Sequence, residues 1–110
     1  MSVEIVLTPL SLTAILEGEI DHHRAAAIRR ELDDALRLHT PSVLRLDFED
    51  VSFMDSSGIG LVMGRYRLMQ ELGGRIQVIN LTPRQYKVMQ LAGLEKLATL
   101  ALRDKKELKV

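Results

Sequence analysis

Two adjacent serines, Ser56 and Ser57, lie between an aspartate and a glycine in the stretch SFMDSSGIG, where a hydroxyl could act as a nucleophile or accept a modification. A hydrolase nucleophile elbow reads G-x-S-x-G, but the residues two before these serines are Met54 and Asp55. A nucleophilic serine also needs a base that a third group orients, and the chain has only three histidines to serve as one. Serine hydrolysis is therefore a distant alternative.

Metal and nucleotide sites find little support in the sequence. His22 and His23 follow an aspartate, but adjacent helical residues point about 100° apart, so the two rings do not converge easily on one ion. The glycines at 58, 60 and 64 match neither G-x-x-x-x-G-K-[ST] nor G-x-G-x-x-G. We expect no metal site and no cofactor.

The segment Asp55-Ser56-Ser57-Gly58, called the serine corner here, has two interpretations that the residues alone leave open. A serine at a helix N-terminus is usually only a cap for free backbone N–H groups. The same position suits a phosphoserine, because the positive end of the helix stabilises an anion. A phosphate there would add negative charge beside Asp55 without unfolding the domain, and it would act by repelling a partner.

Gly60 and Gly64 are four residues apart in the predicted helix, so they share one face. Each glycine in a helix interior costs about 0.8–1 kcal/mol relative to alanine, so their presence calls for a reason. Either this face packs closely on the protein's own sheet, or it is a docking surface for another protein. The sequence does not choose between the two.

Composition limits the class of protein. The 110 residues suit one domain spanning 1–110, and 46% of them are hydrophobic against 4% aromatic, so the core is expected to be aliphatic. Fifteen basic and fifteen acidic residues cancel, which argues against a nucleic-acid partner. The absence of cysteine excludes disulfides. No apolar run approaches the ~20 residues of a membrane span, and the start lacks signal-peptide features, so we expect a cytoplasmic protein.

Hydrophobic periodicity predicts alternating strands and helices. The predicted strands are 3–7, 12–17, 43–48, in which Leu44, Leu46 and Phe48 share a face, 75–80 and, as a fifth, 97–102. Helices are predicted at about 22–38, with Asp21 as N-cap, at about 57–72, and from Pro83 to near Gly93, with Thr82 as cap; a fourth begins at Asp104. Arg29/Asp33 and Arg30/Asp34 are expected to pair on the outside of the first helix. This order implies a layered α/β sandwich with a mixed sheet of four to five strands and about four helices.

The sequence resembles the anti-sigma-factor antagonists of the STAS domain family over essentially its whole length. The block from Leu46 to Gly60 carries most of the resemblance, together with Gly18-Glu19-Ile20-Asp21-His22-His23. Gly64-Arg65-Tyr66, Gly73-Gly74 and Ala92-Gly93-Leu94 continue it at the expected spacing. The two histidines after Asp21 favour the sporulation branch, which antagonises the anti-sigma F factor.

The resemblance implies a partner-switching cycle. The unphosphorylated antagonist binds an anti-sigma factor that is also a serine kinase using ATP and magnesium, and it thereby releases the sporulation sigma factor. The kinase phosphorylates the serine directly after the aspartate, which is Ser56 here, with Ser57 as the neighbouring alternative. Phosphorylation switches binding off, and a serine phosphatase resets the cycle.

The same resemblance implies a regulator and not an enzyme. We also expect no direct contact with nucleic acid or membrane, as the charge and hydropathy indicate, and a monomer when free. Asp21 is implied to face an arginine of the kinase. The implied partner-binding surface comprises Asp21, Asp55, Ser57, Gly58, Ile59 and Gly60. The C-terminal tail is shorter than usual, so its packing is left open. The alternative is an STAS protein of another pathway, either general-stress sigma control or a lipid-transport subunit.

Overall fold

The computed structural model describes residues 3–103. These residues form five strands, three α-helices and one 3₁₀ turn. In chain order they are β1 Glu4–Leu7, β2 Ser11–Ile20, α1 His22–His39, β3 Val43–Met54, α2 Ser56–Glu71, β4 Arg75–Leu81, α3 Pro83–Leu91, the 3₁₀ turn Leu94–Lys96 and β5 Thr99–Leu102. The fourth predicted helix, from Asp104 onward, lies outside the described residues.

The five strands form one mixed sheet in the order β1-β2-β3-β4-β5. β1 is antiparallel to β2, and every later neighbour pair is parallel, as expected where a helix connects consecutive strands. In β3, Leu44, Leu46 and Phe48 are fully buried, whereas Arg45 and Asp47 between them are only half-buried. One face of the sheet therefore carries the core against the helices. The predicted α/β fold with a mixed sheet is confirmed.

The core is aliphatic, as the composition predicts, with Phe48 as its one fully buried aromatic side chain among residues 3–103. Helix α1 contributes Ile28, Leu32 and Leu36, which recur at helical spacing. Fully burying a side chain of this size stabilises the fold by about 1.5–3 kcal/mol. These contacts fix α1 on the sheet, with its first residue next to the carboxyl end of β2.

Polar caps determine where the helices begin. Asp21 caps α1, as predicted, by accepting a hydrogen bond from the backbone N–H of Arg24 at 2.8 Å. Thr82 caps α3 in a reciprocal capping box with Gln85, and Pro83 occupies the first turn. The cap of α2 is Asp55, so neither serine serves as the cap.

Strands β2 and β3 extend further than predicted. β2 passes through Gly18, at which the periodicity suggested an end, and continues to Ile20. β3 continues past Phe48 to Met54. The pairing register shifts twice along this part of the ladder, and Gly18 takes a φ of +78°, which glycine adopts without strain. The extra residue lies in β3 at both shifts, where it breaks the alternation and ends the pattern too early. In β2 the alternation continues to the buried Ile20, and only the glycine suggested an end.

A buried ion pair joins α1 to α2. Arg65 is only 4% exposed, and its Nε lies 2.9 Å from Oδ1 of Asp33. Burial lowers the pKa of the Arg65 guanidinium, and the Asp33 carboxylate opposes that shift. The predicted Arg29/Asp33 pair is wrong, because Asp33 turns inward to Arg65. The predicted Arg30/Asp34 pair is wrong as well, since the Arg65–Asp33 pair is the only ion pair among residues 3–103.

Candidate partner-binding site

The two capping aspartates lie at neighbouring ends of paired strands. Ile20 and Met54 are register partners in the parallel β2–β3 ladder, and Asp21 and Asp55 follow them directly. The backbone N–H of Asp55 donates to the carbonyl of Ile20 at 3.2 Å, which ties the two corners together. The starts of α1 and α2 therefore form one surface with an aspartate in each corner.

Ser56 is the first residue of α2 and is exposed. Its hydroxyl makes no hydrogen bond to another residue in the described part of the chain. Asp55 supplies the cap instead, since its Oδ1 accepts from the backbone N–H of Ser57 at 2.7 Å. Ser57 is half-buried. The geometry thus separates two serines that the sequence could not separate: Ser56 is the more accessible hydroxyl.

Asp21 keeps its carboxylate charged and fixed. The backbone N–H of Arg24 lowers the pKa of Asp21, because this hydrogen bond favours the ionised form. The Arg24 side chain is directed away and donates to the carbonyl of Glu17 at 2.9 Å. Only one Asp21 oxygen is used in the cap bond described, so an oxygen is left for a cation from outside.

Gly58 and Ile59 have different surroundings from the exposed corner. Gly58 is buried, and a Cβ added to it would lie 2.7 Å from Sδ of Met54. The missing side chain therefore lets the end of β3 pack under the start of α2. Ile59 is half-buried and lies on the side of α2 that carries Ser56.

Gly60 and Gly64 lie in open space. A Cβ added at either position would meet no atom within 4 Å. Close packing on the protein's own sheet, one of the two interpretations drawn from the sequence, is therefore wrong. The two glycines instead leave part of the outer face of α2 low and accessible.

Two grooves flank the first turn of α2. The α1–α2 groove, about 460 Å³ in volume, is lined by Ser57, Gly60 and Gly64 together with residues of α1. The α2–α3 groove, about 520 Å³, is lined by Asp55, Ser56 and Ile59 together with residues of β3 and α3. The predicted site residues therefore do not share one groove: Ser57 and Gly60 line the first and Asp55, Ser56 and Ile59 the second. Asp21 and Gly58 line neither groove.

The α2–α3 groove also contains exposed residues that no sequence motif identifies. Phe53 is 53% exposed and Val88 is 40% exposed, and Arg84 lies with them near Ser56. Phe53 is exposed although Val51 is buried, because the ladder shifts register between them. No sequence periodicity signals that shift. The one sequence feature that points to this groove is an aromatic residue, Phe53, three positions before the candidate modification site Ser56.

The described residues show neither a metal-binding cluster nor a membrane span. Within residues 3–103, no three His, Cys, Asp or Glu side chains are grouped so as to hold an ion. No helix in the same range has the length and apolarity to cross a membrane.

A family model described as the STAS domain matches residues 3–106. The chain belongs to the STAS domain family. The family predicted from the glycine, aspartate and serine motifs is therefore confirmed, and the five-stranded sheet with its helices is the fold that its structural relatives share.

Proteins similar to this STAS chain include two antagonists of anti-sigma F factors. The anti-sigma F factor antagonist of Lysinibacillus sphaericus is 42% identical over 79 residues, or 72% of this chain and 68% of the relative. That of Paenibacillus polymyxa is 34% identical over 82 residues, or 74% of this chain and 70% of the relative.

A solved structure of the anti-sigma factor antagonist SpoIIAA in its unphosphorylated form superimposes with a TM-score of 0.78 at 33% identity. The match covers 97% of this chain and 92% of that one. The phosphorylated form of SpoIIAA from Bacillus matches with a TM-score of 0.72, over 97% of this chain and 96% of that one. The chain is thus similar to an antagonist for which both phosphorylation states exist as structures.

Proposed function

We propose that this STAS protein is an anti-sigma F factor antagonist whose unphosphorylated form binds the anti-sigma factor and so releases the sporulation sigma factor. The identities of 34% and 42% to antagonists of that name support this assignment. The surface formed by the two aspartate corners is the proposed contact region. The protein acts by binding, as a regulator and not as an enzyme.

Ser56 is the proposed phosphoacceptor. The observation that carries this proposal is its exposed position as the first residue of α2, with the cap already supplied by Asp55. Its hydroxyl can enter a kinase active site without loss of the cap. Backbone N–H groups in the first helical turn lack intrahelical partners, and they stabilise a phosphate at this position.

Phosphorylation of Ser56 acts in this proposal by charge. A phosphoserine carries about −1.5 to −2 charges at pH 7. It would lie beside Asp55 in the proposed contact region, so the partner surface packed there would have to accommodate a bulky, strongly hydrated dianion. Any partner carboxylate close to this corner would also be repelled. The kinase is the anti-sigma factor, which supplies the ATP and magnesium, so the antagonist needs no cofactor of its own. A separate serine phosphatase resets it, and the cycle takes place in the cytoplasm with a monomeric antagonist.

The test mixes the protein with the sporulation anti-sigma factor and magnesium-ATP and follows intact mass. We expect wild type and Ser57→Ala to gain one phosphoryl group, and Ser56→Ala to gain none. Ser57→Ala is the matched control, since it removes the neighbouring hydroxyl while Asp55 can still accept from the backbone N–H of residue 57. Modification that persists in Ser56→Ala would overturn the acceptor assignment.

The choice of pathway has its own test. The affinity of the unphosphorylated protein for the sporulation anti-sigma factor is compared with its affinity for a general-stress anti-sigma factor. We expect the sporulation partner to bind at least about tenfold more tightly, a difference of about 1.4 kcal/mol. Preference for the stress partner would move the protein to the other branch without affecting the STAS assignment.

A further inference from the structure

The α1–α2 groove is formed by one face of each helix. His22, Ala25, Ala26 and Arg29 line it from α1, with the i, i+3, i+4, i+7 spacing of a single helical face. Ser57, Gly60, Gly64 and Arg67 line it from α2 at positions i, i+3, i+7 and i+10, which also share one helical face. A second protein segment laid along the groove would therefore contact both helices at once.

The groove is basic. Arg29 and Arg67 lie on its two sides and are exposed, and the buried Arg65 also borders it. No carboxylate in the described chain lines it. Asp33, one turn after Arg29 on α1, pairs with Arg65, and Arg29 has no ion-pair partner among residues 3–103.

The positive charges in this groove act on one another. The charge of Arg29 contributes to lowering the pKa of the Arg65 guanidinium, after the larger effect of burial. Arg29 is therefore close enough for its field to reach the buried pair. Like charges held together in a groove cost energy when it is empty, and an incoming anion relieves that cost.

The floor of the groove admits a close approach. Ala25, Ala26, Gly60 and Gly64 offer little or no side chain, and nothing lies within 4 Å of a Cβ added at either glycine. A partner backbone can therefore come near both helices, which brings its side chains within reach of the flanking arginines.

The groove is continuous with the serine corner. Ser57 lies at one end, and Arg67 follows it by ten residues on α2, a rise of about 15 Å at ~1.5 Å per residue. Arg29 follows His22 by seven residues on α1, a rise of about 10 Å. A partner that reaches Ser56 can therefore place a second contact between Arg29 and Arg67 without releasing the first.

We propose that the α1–α2 groove docks an acidic segment of the anti-sigma factor, with carboxylates about 10–15 Å from the phosphoacceptor corner, facing Arg29 and Arg67. This inference rests on the proposed function, because it assigns a second contact to the same partner. The complete interface then has two signs: acidic at Asp21 and Asp55, basic along the groove. Charges of both signs fix the orientation of a partner and reject one with the wrong pattern.

The first experiment reverses the groove charges. Arg67→Glu and Arg29→Glu are compared with Arg30→Glu, an exposed arginine of α1 that does not line the groove and gives the same change in net charge. Affinity for the unmodified anti-sigma factor is measured by calorimetry at two salt concentrations. We expect about tenfold weaker binding for each groove variant and less than about twofold for Arg30→Glu, since local pairing and not net charge is lost.

The second experiment fills the groove without disturbing the fold. Gly64→Leu adds a side chain where a Cβ meets no atom within 4 Å, and it replaces a poor helix former. We expect the thermal midpoint to stay the same or rise while affinity for the anti-sigma factor falls at least about tenfold, because the side chain occupies the path of the partner backbone. A fall in affinity with a preserved midpoint cannot come from unfolding.

Several outcomes separate this inference from the proposed function. If the groove variants and Gly64→Leu bind the anti-sigma factor as tightly as Arg30→Glu, the groove proposal is overturned, while phosphorylation of Ser56 still supports the function. Loss of phosphatase binding alone, or of self-association alone, would assign the groove to another occupant and overturn it as well. Failure of the anti-sigma factor to bind even the wild-type protein would overturn the proposed function itself.

Discussion

The corners that begin α1 and α2 have the same construction and different chemistry. In each corner a strand ends, an aspartate caps the helix, and the two strand ends are register partners. The residue after Asp21 is His22, whereas the residue after Asp55 is Ser56. Because the aspartate provides the cap in both, the next side chain is not needed for the helix start. Function can therefore differ between the corners without a change in local structure.

The largest expected effect comes from placing a charge in the serine corner. Ser56→Asp should stay folded by circular dichroism, because an acidic residue in the first turn suits the helix dipole. Its affinity for the anti-sigma factor should fall about a hundredfold, a change of about 2.7 kcal/mol. Ser56→Asn, similar in size but neutral, should lose much less. Unfolding of Ser56→Asp would instead show that this corner is mainly structural.

The next largest effect concerns the buried ion pair that joins α1 to α2. Asp33→Ala leaves the Arg65 guanidinium buried without its ion pair, and breaking a buried pair is strongly destabilising. We expect a loss of about 2 kcal/mol in the free energy of unfolding, reduced because the Asp33 side chain is 30% exposed. Asp34→Ala, an exposed neighbour, should change it by less than about 0.5 kcal/mol in the same urea titration. Equal losses of unfolding free energy in Asp33→Ala and Asp34→Ala would show that the ion pair does not stabilise the fold.

A smaller effect should separate the two aspartates. Asp21→Asn retains an oxygen that can cap the helix but removes the charge, so stability should be nearly unchanged while affinity for the anti-sigma factor falls about tenfold. Asp55→Ala removes a cap and should cost about 1 kcal/mol of stability. A large stability loss in Asp21→Asn at unchanged affinity would mean that Asp21 is a cap and not a contact.

The smallest effect is a dependence on pH. The pKa of Asp21 is lowered from its ordinary value of 3.8, so the folded state binds this proton less readily than the unfolded state. The resulting stabilisation is present above that ordinary value and is lost as the pH falls through the lower, folded pKa. The stability difference between wild type and Asp21→Asn should therefore shift against the wild type on acidification. A difference that stays constant from neutral to acid pH would contradict this.

Local signals predicted much of the fold. Asp21 and the Thr82-Pro83 pair have the residue types that begin helices, and both caps are found where predicted. The period-two pattern of Leu44, Leu46 and Phe48 likewise identified a strand with one buried face. These features depend on neighbours in sequence, and for that reason one sequence is enough to predict them.

Features that depend on distant partners were missed. The bulges between β2 and β3 arise from how two strands align, so the exposure of Phe53 could not be deduced from alternation. Arg65 lies three or four residues from each of Leu61, Val62, Leu68 and Met69, all buried. A charged residue in the middle of an apolar stripe needs a buried partner, so the position of Arg65 indicates an ion pair. It does not indicate which acidic residue is the partner, because Asp33 lies on another helix.

The glycines show the same limit, since glycine carries no hydrophobic pattern. Gly58 is buried against Met54, whereas Gly60, two residues later, lies in open space. Only the structure distinguishes a glycine needed for packing from one that leaves room outside. The motifs identify the start of α2 as the predicted site, which stays a prediction. The two grooves on either side of it depend on how α1 and α3 pack beside α2, and no local pattern reports that packing.

The openness of positions 60 and 64 separates two demands on the sequence. Because an added side chain there would meet no neighbour within 4 Å, the packing of the protein does not require glycine at either position. A larger side chain at either position would change the outer shape of α2 and leave the core untouched. The shape presented to a partner can therefore be altered at these positions independently of the fold.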